Sequence, residues 1–488
     1  MHPLANLDLQ YLWHPFTQMR DWLKREPIVI QSAKGAFLTD VHGRRYLDAN
    51  ASIWTNLHGH AHPAINRAIC EQLGKVAHTS ALGLANEPAS LLGERLVKAA
   101  NGTSPALKEI DRRPPLLGDR LARVFYSDNG STALEVALKL AYEYTRRTGR
   151  AKRPRFLALE GAYHGDTLGA VSLGHIDLFH RAYRHLLFPT DAVMAPYCYR
   201  CPYNRAKPAQ GDARDYRKCR WECVDQVEER FRKARKAGRP FAAMVVEPLM
   251  QGAAGMVPQP SGWLRRVAEI VRGHDALLIA DEVMTGFGRT TSPRPLEQSH
   301  AHPYSLFACH KEGVQPDFLC VAKGMTGGYL PMAATLTTQS VFDAFLGEYE
   351  EFKTFFHGHS FTGNQLGSAA ALASLDLLEA RQALLRRQRL ALAMEKALFA
   401  LGANSFVGDI RQVGLLAGVE LVQDWLTRHP LPLEARVGIR VCEAMTRRGV
   451  LTRPVGNVIV LMPPYCVMPS QIERVVEVLA ASINEVLQ

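Results

Sequence analysis

The chain has 488 residues, 47% of them hydrophobic and 22% charged, with a formal net charge of +11. That balance excludes a disordered or low-complexity protein, and no apolar run approaches the roughly 20 residues needed to span a bilayer. Two basic stretches, 146–155 and 230–239, come with no nucleic-acid motif and read as solvated surface, although the positive field favours an anionic cofactor and a carboxylate substrate.

From the N-terminus, residues 1–10 lack the basic stretch and apolar core of a secretory signal, so a cytoplasmic protein is expected. Between about 122 and 338, short apolar runs alternate with helical stretches, the pattern of a parallel sheet wrapped by helices. The runs start at Arg123, Arg155, Ala242, Ala276, Phe318 and Ala333 and are apolar almost throughout, as strands covered on both faces must be. The predicted fold class is therefore α/β, a doubly wound, mainly parallel sheet. After about 375 a long Leu- and Ala-rich helical stretch gives way to short apolar runs at 414–420 and 458–462. Together with the N-terminal segment these predict a smaller α+β domain built from both chain ends. The expected boundaries are 1–75 and 371–488 for the small domain and 76–370 for the large one, with a surface insertion at about 198–223.

That insertion carries Cys198, Cys201, Cys219 and Cys223, spaced C-x2-C, a gap of 17, then C-x3-C. Such spacing brings four thiolates within reach of one structural zinc; the alternative is a polar insertion with incidental thiols. A catalytic metal is not expected, because four thiolates leave no open position. The remaining cysteines (Cys70, Cys309, Cys320, Cys442, Cys466) are scattered singly, as reduced thiols are.

Polar residues cluster where the apolar runs stop: Asp128-Asn-Gly-Ser131, Glu247, Asp281-Glu282 and Lys323-Gly324. Open parallel sheets bind ligands at the carboxyl ends of their strands, so one crevice shared by these residues is predicted. Asp281, fixed at a strand end, can hold a positively charged heterocycle nitrogen. Lys323, at the end of the next predicted strand, is an amine whose desolvation suits Schiff-base chemistry, and Gly324, Gly327 and Gly328 leave its surroundings open to a ligand. Gly130 and Ser131 sit in a turn ahead of a helix predicted over 135–144, where backbone amides and a hydroxyl can hold a phosphate. Tyr163 offers an aromatic face that could stack on a pyridine ring. Each feature alone has a plain structural reading, as a cap, a surface lysine or a core aromatic; it is their joint placement that points to one site.

Together these residues resemble the class III, or omega, aminotransferases among the fold-type-I pyridoxal-phosphate enzymes, and the similarity runs over nearly the whole chain. Tyr11-Leu-Trp-His-Pro-Phe-Thr-Gln-Met19, Gly161-Ala-Tyr-His-Gly-Asp-Thr167, Asp281-Glu-Val-Met-Thr-Gly-Phe-Gly-Arg-Thr290, Lys323-Gly-Met-Thr-Gly-Gly-Tyr329 and His357-Gly-His-Ser-Phe-Thr-Gly-Asn364 look most like the group acting on 8-amino-7-oxononanoate in biotin synthesis. The resemblance implies ping-pong transamination of that ketone to 7,8-diaminononanoate, with pyridoxal 5'-phosphate on Lys323 and its ring nitrogen on Asp281. It implies phosphate contacts from Gly130 and Ser131, ring stacking by Tyr163, and Gly358, His359 and Ser360 reaching the partner's phosphate in a homodimer with composite sites. It also implies that Arg453 binds the substrate carboxylate and that the Trp13 region, Phe16, Ile53 and Trp54 line the substrate channel.

Relatives taking nitrogen from S-adenosylmethionine usually have tyrosine where this chain has Phe16, and two tryptophans where it has Ile53-Trp54. Lysine-using relatives have a similar phenylalanine and a single tryptophan, so both donors stay open, with S-adenosylmethionine the family default. The alternatives are another class III transaminase of the ornithine or 4-aminobutyrate type, against which the Trp-His-Pro opening argues, and a non-catalytic protein retaining the fold, against which the intact lysine, aspartate and phosphate loop argue.

Overall fold

The computed structural model describes residues 1–102, 116–294, 302 and 304–488. All six predicted runs form strands, and a seventh joins them. In chain order they are β1 (Leu121–Ser127), β2 (Arg155–Leu159), β3 (Asp191–Val193), β4 (Phe241–Val246), β5 (Leu277–Asp281), β6 (Phe318–Val321) and β7 (Ala333–Thr338). Their order across the sheet is β1-β7-β6-β5-β4-β2-β3. Neighbours from β6 through β3 are parallel, whereas β7 runs antiparallel to both β6 and β1. Strand β3 has only three residues, Asp-Ala-Val, too short to stand out as an apolar run. The reversed direction of β7 was equally hidden, since a strand covered on both faces reads the same either way.

Every residue of β4, β5, β6 and β7 is buried. Helix α1 (Gly130–Arg147) covers one face, packing Leu134, Ala137, Leu138 and Ala141 with Val245, Ile279 and Phe318. The helix Trp263–Gly273 covers the other, with Trp263, Leu264, Val267 and Val271 in the same core as Met244, Leu278 and Leu319. Each such Val or Leu contributes about 1.5–3 kcal/mol through burial, which makes this central layer the rigid support of the strand ends. Helix α1 starts at Gly130, ahead of the predicted 135, so the candidate phosphate residues form its first turn and not a preceding loop. The long helical stretch after 375 is two helices, Gln365–Glu379 and Arg381–Phe399, parted where Ala380 turns extended (ψ 133°).

The N-terminal strands Ile30–Lys34, Phe37–Asp40 and Arg45–Asp48 take Val450–Leu451 as a fourth, parallel to Arg45–Asp48. Another sheet contains Val407–Val413, Leu416–Asp424, Val458–Leu461 and Pro454–Val455. The two ends of the chain therefore meet in one strand pair, Leu47 with Val450 and Asp48 with Leu451. Among the described residues no helix is long and apolar enough to cross a membrane.

In the cysteine insertion the four thiols have separate surroundings. Cys198 and Cys223 are buried, Cys201 and Cys219 partly so, and all are free thiols. Burial, reinforced by the neighbouring thiols, pushes Cys198 and Cys223 up to about 12. Yet Cys219 Sγ accepts from Arg217 Nη1 at 3.0 Å and Cys198 Sγ turns to the Pro196 carbonyl at 3.8 Å. Among the described residues no three His, Cys, Asp or Glu side chains are set to hold one metal ion.

Candidate active site

The strand ends bring together what the sequence keeps apart. Asp281 closes β5 and is buried. Its Oδ2 lies 2.7 Å from His164 Nδ1, and its Oδ1 accepts from Val283 N at 3.1 Å. Burial opposes a charge on His164, but the hydrogen bond and charge of Asp281 outweigh it and raise the imidazole pKa. Glu247, just beyond β4, is pushed up to about 7 by burial, and its Oε2 accepts from Gly252 N at 2.9 Å. His164 Nε2 and Glu247 Oε1 are buried without a hydrogen-bond partner among the described residues, so the floor of the crevice retains unused polar capacity.

Lys323 opens the short 3-10 turn Lys323–Thr326 after β6, in a left-handed conformation (φ 41°). Burial lowers its pKa, while the charges of Asp281 and Glu247 act the other way. The amine lies 4.6 Å from the centroid of the Trp54 ring. The glycines behind it allow close packing: a Cβ on Gly328 would stand 2.7 Å from the Asn56 backbone. They admit the segment carrying Trp54 against the lysine turn.

At the start of α1, Asn129 and Thr132 form a reciprocal cap, with Thr132 N donating to Asn129 Oδ1 at 3.1 Å. The first-turn amides of Gly130 and Ser131 stand free of intrahelical partners, as first-turn amides do, and could hold an anion. Asp166 N donates to Ser131 Oγ at 3.1 Å, and a Cβ on Gly165 would collide with the Ser131 side chain (2.6 Å to its Cβ). The loop after β2 is thereby closed onto the helix end. His359 Nδ1 stands 3.4 Å from Asp128 Oδ2 beside this end, while Gly358 and Ser360 are exposed.

Tyr163 Oη donates to Asp166 Oδ2 at 2.7 Å, and its ring meets Phe16 edge-on at 6.4 Å. Phe16, Ile53 and Trp13 are exposed, Trp54 is partly buried, and Arg453 lies exposed two residues beyond Val450–Leu451. Ala51, Ser52, Ile53 and Trp54 all have positive φ (45°, 47°, 59° and 70°), one turn of left-handed helix without a glycine. Such a turn costs roughly 1–2 kcal/mol per residue, so its surroundings must impose it. Sequence reasoning gave no role to His164 or to Asp48, whose contacts with this turn are described below. Adjacency to Tyr163 was the available signal for the first; nothing local marked the second.

These residues fit pyridoxal phosphate: a braced buried carboxylate for the ring nitrogen, an amine with depressed pKa, and a helix end against which Gly165 packs with no room for a Cβ. Fold and site together define a fold-type-I pyridoxal-phosphate-dependent transferase. The model of the aminotransferase class-III family matches residues 19–483, and the chain belongs to that family. It is 46% identical to the adenosylmethionine-8-amino-7-oxononanoate aminotransferase of Geobacter sulfurreducens, over 99% of this chain and 98% of the relative. The crystal structure of the enzyme of that name from Methanocaldococcus jannaschii superposes with a TM-score of 0.85 at 36% identity, covering 99% of each chain. An amine transaminase from an uncultivated Pseudomonas species, solved in its PLP-bound form, gives 0.84 at 31% identity, covering 97% of this chain and 98% of that one. The chain is accordingly a pyridoxal-phosphate-dependent aminotransferase.

Proposed function

We propose that this aminotransferase converts 8-amino-7-oxononanoate to 7,8-diaminononanoate in biotin synthesis, with S-adenosylmethionine as amino donor. The observation that carries the reading is the meeting of Lys323, the His164-braced Asp281 and the Gly130–Ser131 helix end at the strand ends of one sheet. Relatives named for this substrate and donor, matched over 99% of this chain, support the specificity.

Pyridoxal phosphate, when bound, supplies an electron-poor ring that takes up the electron pair left as a proton departs from the nitrogen-bearing carbon. Asp281 would hold the ring nitrogen, Gly130 and Ser131 the phosphate, and Tyr163 one face. Lys323, made less basic by desolvation, would take and return that proton on its Nζ. Arg453 offers a fork suited to the substrate carboxylate, and Phe16, Ile53 and Trp54 form the apolar channel above the amine. Gly358, His359 and Ser360 would reach the phosphate site of a second copy. A homodimer is supported by the exposed Tyr349, Phe352, Phe356 and Phe361 around them, a patch suited to burial. Nine free cysteines fit a reducing, cytoplasmic compartment.

Phe16 and the single tryptophan at 53–54 favour a second reading, in which lysine is the donor. Purified enzyme incubated with 8-amino-7-oxononanoate and each donor in turn separates the readings by diamine formation. No diamine with either donor would end the biotin assignment.

A further inference from the structure

We infer that Asp48 is a positioning residue for substrate: its carboxylate pins the left-handed turn Ala51–Trp54 and so keeps Trp54 over the Lys323 amine. The inference rests on the transaminase reading above and extends it to a residue outside the crevice. Within the turn, Trp54 N donates to Asn50 O, and Thr55 N to Ala51 O, each at 2.9 Å. A right-handed turn would make the same bonds, and β-branched Ile53 would prefer it, so the hand is chosen from outside.

Asp48 makes that choice. It is buried at the end of Arg45–Asp48, accepting from Asn50 N through Oδ1 at 3.0 Å and from Ser52 N and Ser52 Oγ through Oδ2 at 2.8 and 2.9 Å. His60 Nε2 stands 3.7 Å from the same Oδ2. The staple itself is fixed in the strand pair that joins the chain ends: Asp48 N donates to Ala36 O at 2.8 Å and Ala49 N to Leu451 O at 2.9 Å. Leu451 lies two residues before Arg453, so one strand pair sets both the Trp54 wall and the segment offering the arginine. Trp54 leaves the turn toward Lys323, with its ring against Gly252, where a Cβ would meet it at 3.2 Å, and its buried Nε1 has no partner among the described residues. The lysine, Asp281 and α1 hang on the central sheet instead. Loosening Asp48 therefore degrades substrate placement and leaves cofactor chemistry in place.

The test uses full-length holoenzyme carrying Asp48→Asn, which removes the charge and one acceptor, and Ser52→Ala, an exposed substitution that deletes only the hydroxyl bond to Oδ2. Asp48→Asn should raise KM for 8-amino-7-oxononanoate about tenfold with kcat within about threefold, and Ser52→Ala should raise KM about two- to threefold. Amide hydrogen exchange should quicken over 49–57 and stay unchanged over 318–338, with the absorbance of bound cofactor unaltered. Unchanged exchange over 49–57, or an unchanged KM in both variants, overturns the inference. Exchange that spreads to 318–338 together with loss of the cofactor spectrum also overturns it, by making Asp48 a general stability residue. If the wild type fails to turn over 8-amino-7-oxononanoate, the proposed substrate falls, and the exchange pattern alone decides the role of Asp48.

Discussion

Replacing His164 with leucine tests how the crevice holds the cofactor ring. His164 Nδ1 lies 2.7 Å from Asp281 Oδ2, with side-chain exposures of 0% and 6%, so solvent does not screen the pair. A hydrogen bond to a charged group contributes about 1.5–3 kcal/mol, and its loss leaves Asp281, among the described residues, with Val283 N as its remaining side-chain donor. If about 2 kcal/mol of that is expressed in the transition state, kcat/KM falls roughly 30-fold. The pH dependence has a definite sign. The folded-state pKa of His164 is raised, so the charge-assisted part of the bond is complete below the ordinary imidazole pKa of 6.5 and is lost as pH rises through the raised value. The wild-type advantage over His164→Leu should therefore be greatest below pH 6.5 and shrink as pH rises through the raised value. His164→Asn, whose side-chain nitrogen can occupy the Nδ1 position, should recover most of the activity. Measured kcat/KM for His164→Leu within twofold of wild type across the pH range would refute the reasoning.

Three other substitutions probe the remaining parts. Lys323→Ala should abolish turnover while phosphate-anchored cofactor still co-purifies, checked by absorbance and by loss of borohydride fixation to the 323-bearing peptide. Gly165→Ala drives a methyl into Ser131 and should weaken cofactor affinity at least about tenfold, read by equilibrium titration of apoenzyme, with little change in the secondary structure seen by circular dichroism. Glu247→Gln bears on stability: a carboxyl raised from 4.5 to about 7 by burial binds its proton more tightly in the folded state, so the folded protein loses stability as pH climbs through that window. The variant should show a flatter decline in Tm between those pH values, and a decline as steep as wild type would remove Glu247 as a source.

How much of this was legible in the sequence follows from which forces act locally. The apolar runs identified six of the seven strands in the central sheet because a strand buried on both faces must be continuously apolar, whatever its neighbours. Asp281, Lys323 and the Gly130–Ser131 turn could be proposed as one site because an open α/β sheet gathers its strand ends on one edge, a rule that needs no contact information. Other features depended on groups far apart in the chain. The direction of β7, the short strand β3, the helix beginning at Gly130 and the break at Ala380 follow from pairing and packing that leave no periodic trace. The four cysteines had metal-like spacing, yet what each thiol contacts was decided by the fold around it. Most of all, the brace on Asp281 spans 117 residues of sequence and the strand pair that anchors Asp48 to Leu451 joins opposite ends of the chain. The sequence by itself determined which chemical groups were available and on which elements they would ride. Only the tertiary structure decided their hydrogen-bond partners and the hand of the turn beneath Trp54, because those are set by desolvation and by bonds between segments that local propensity cannot sense.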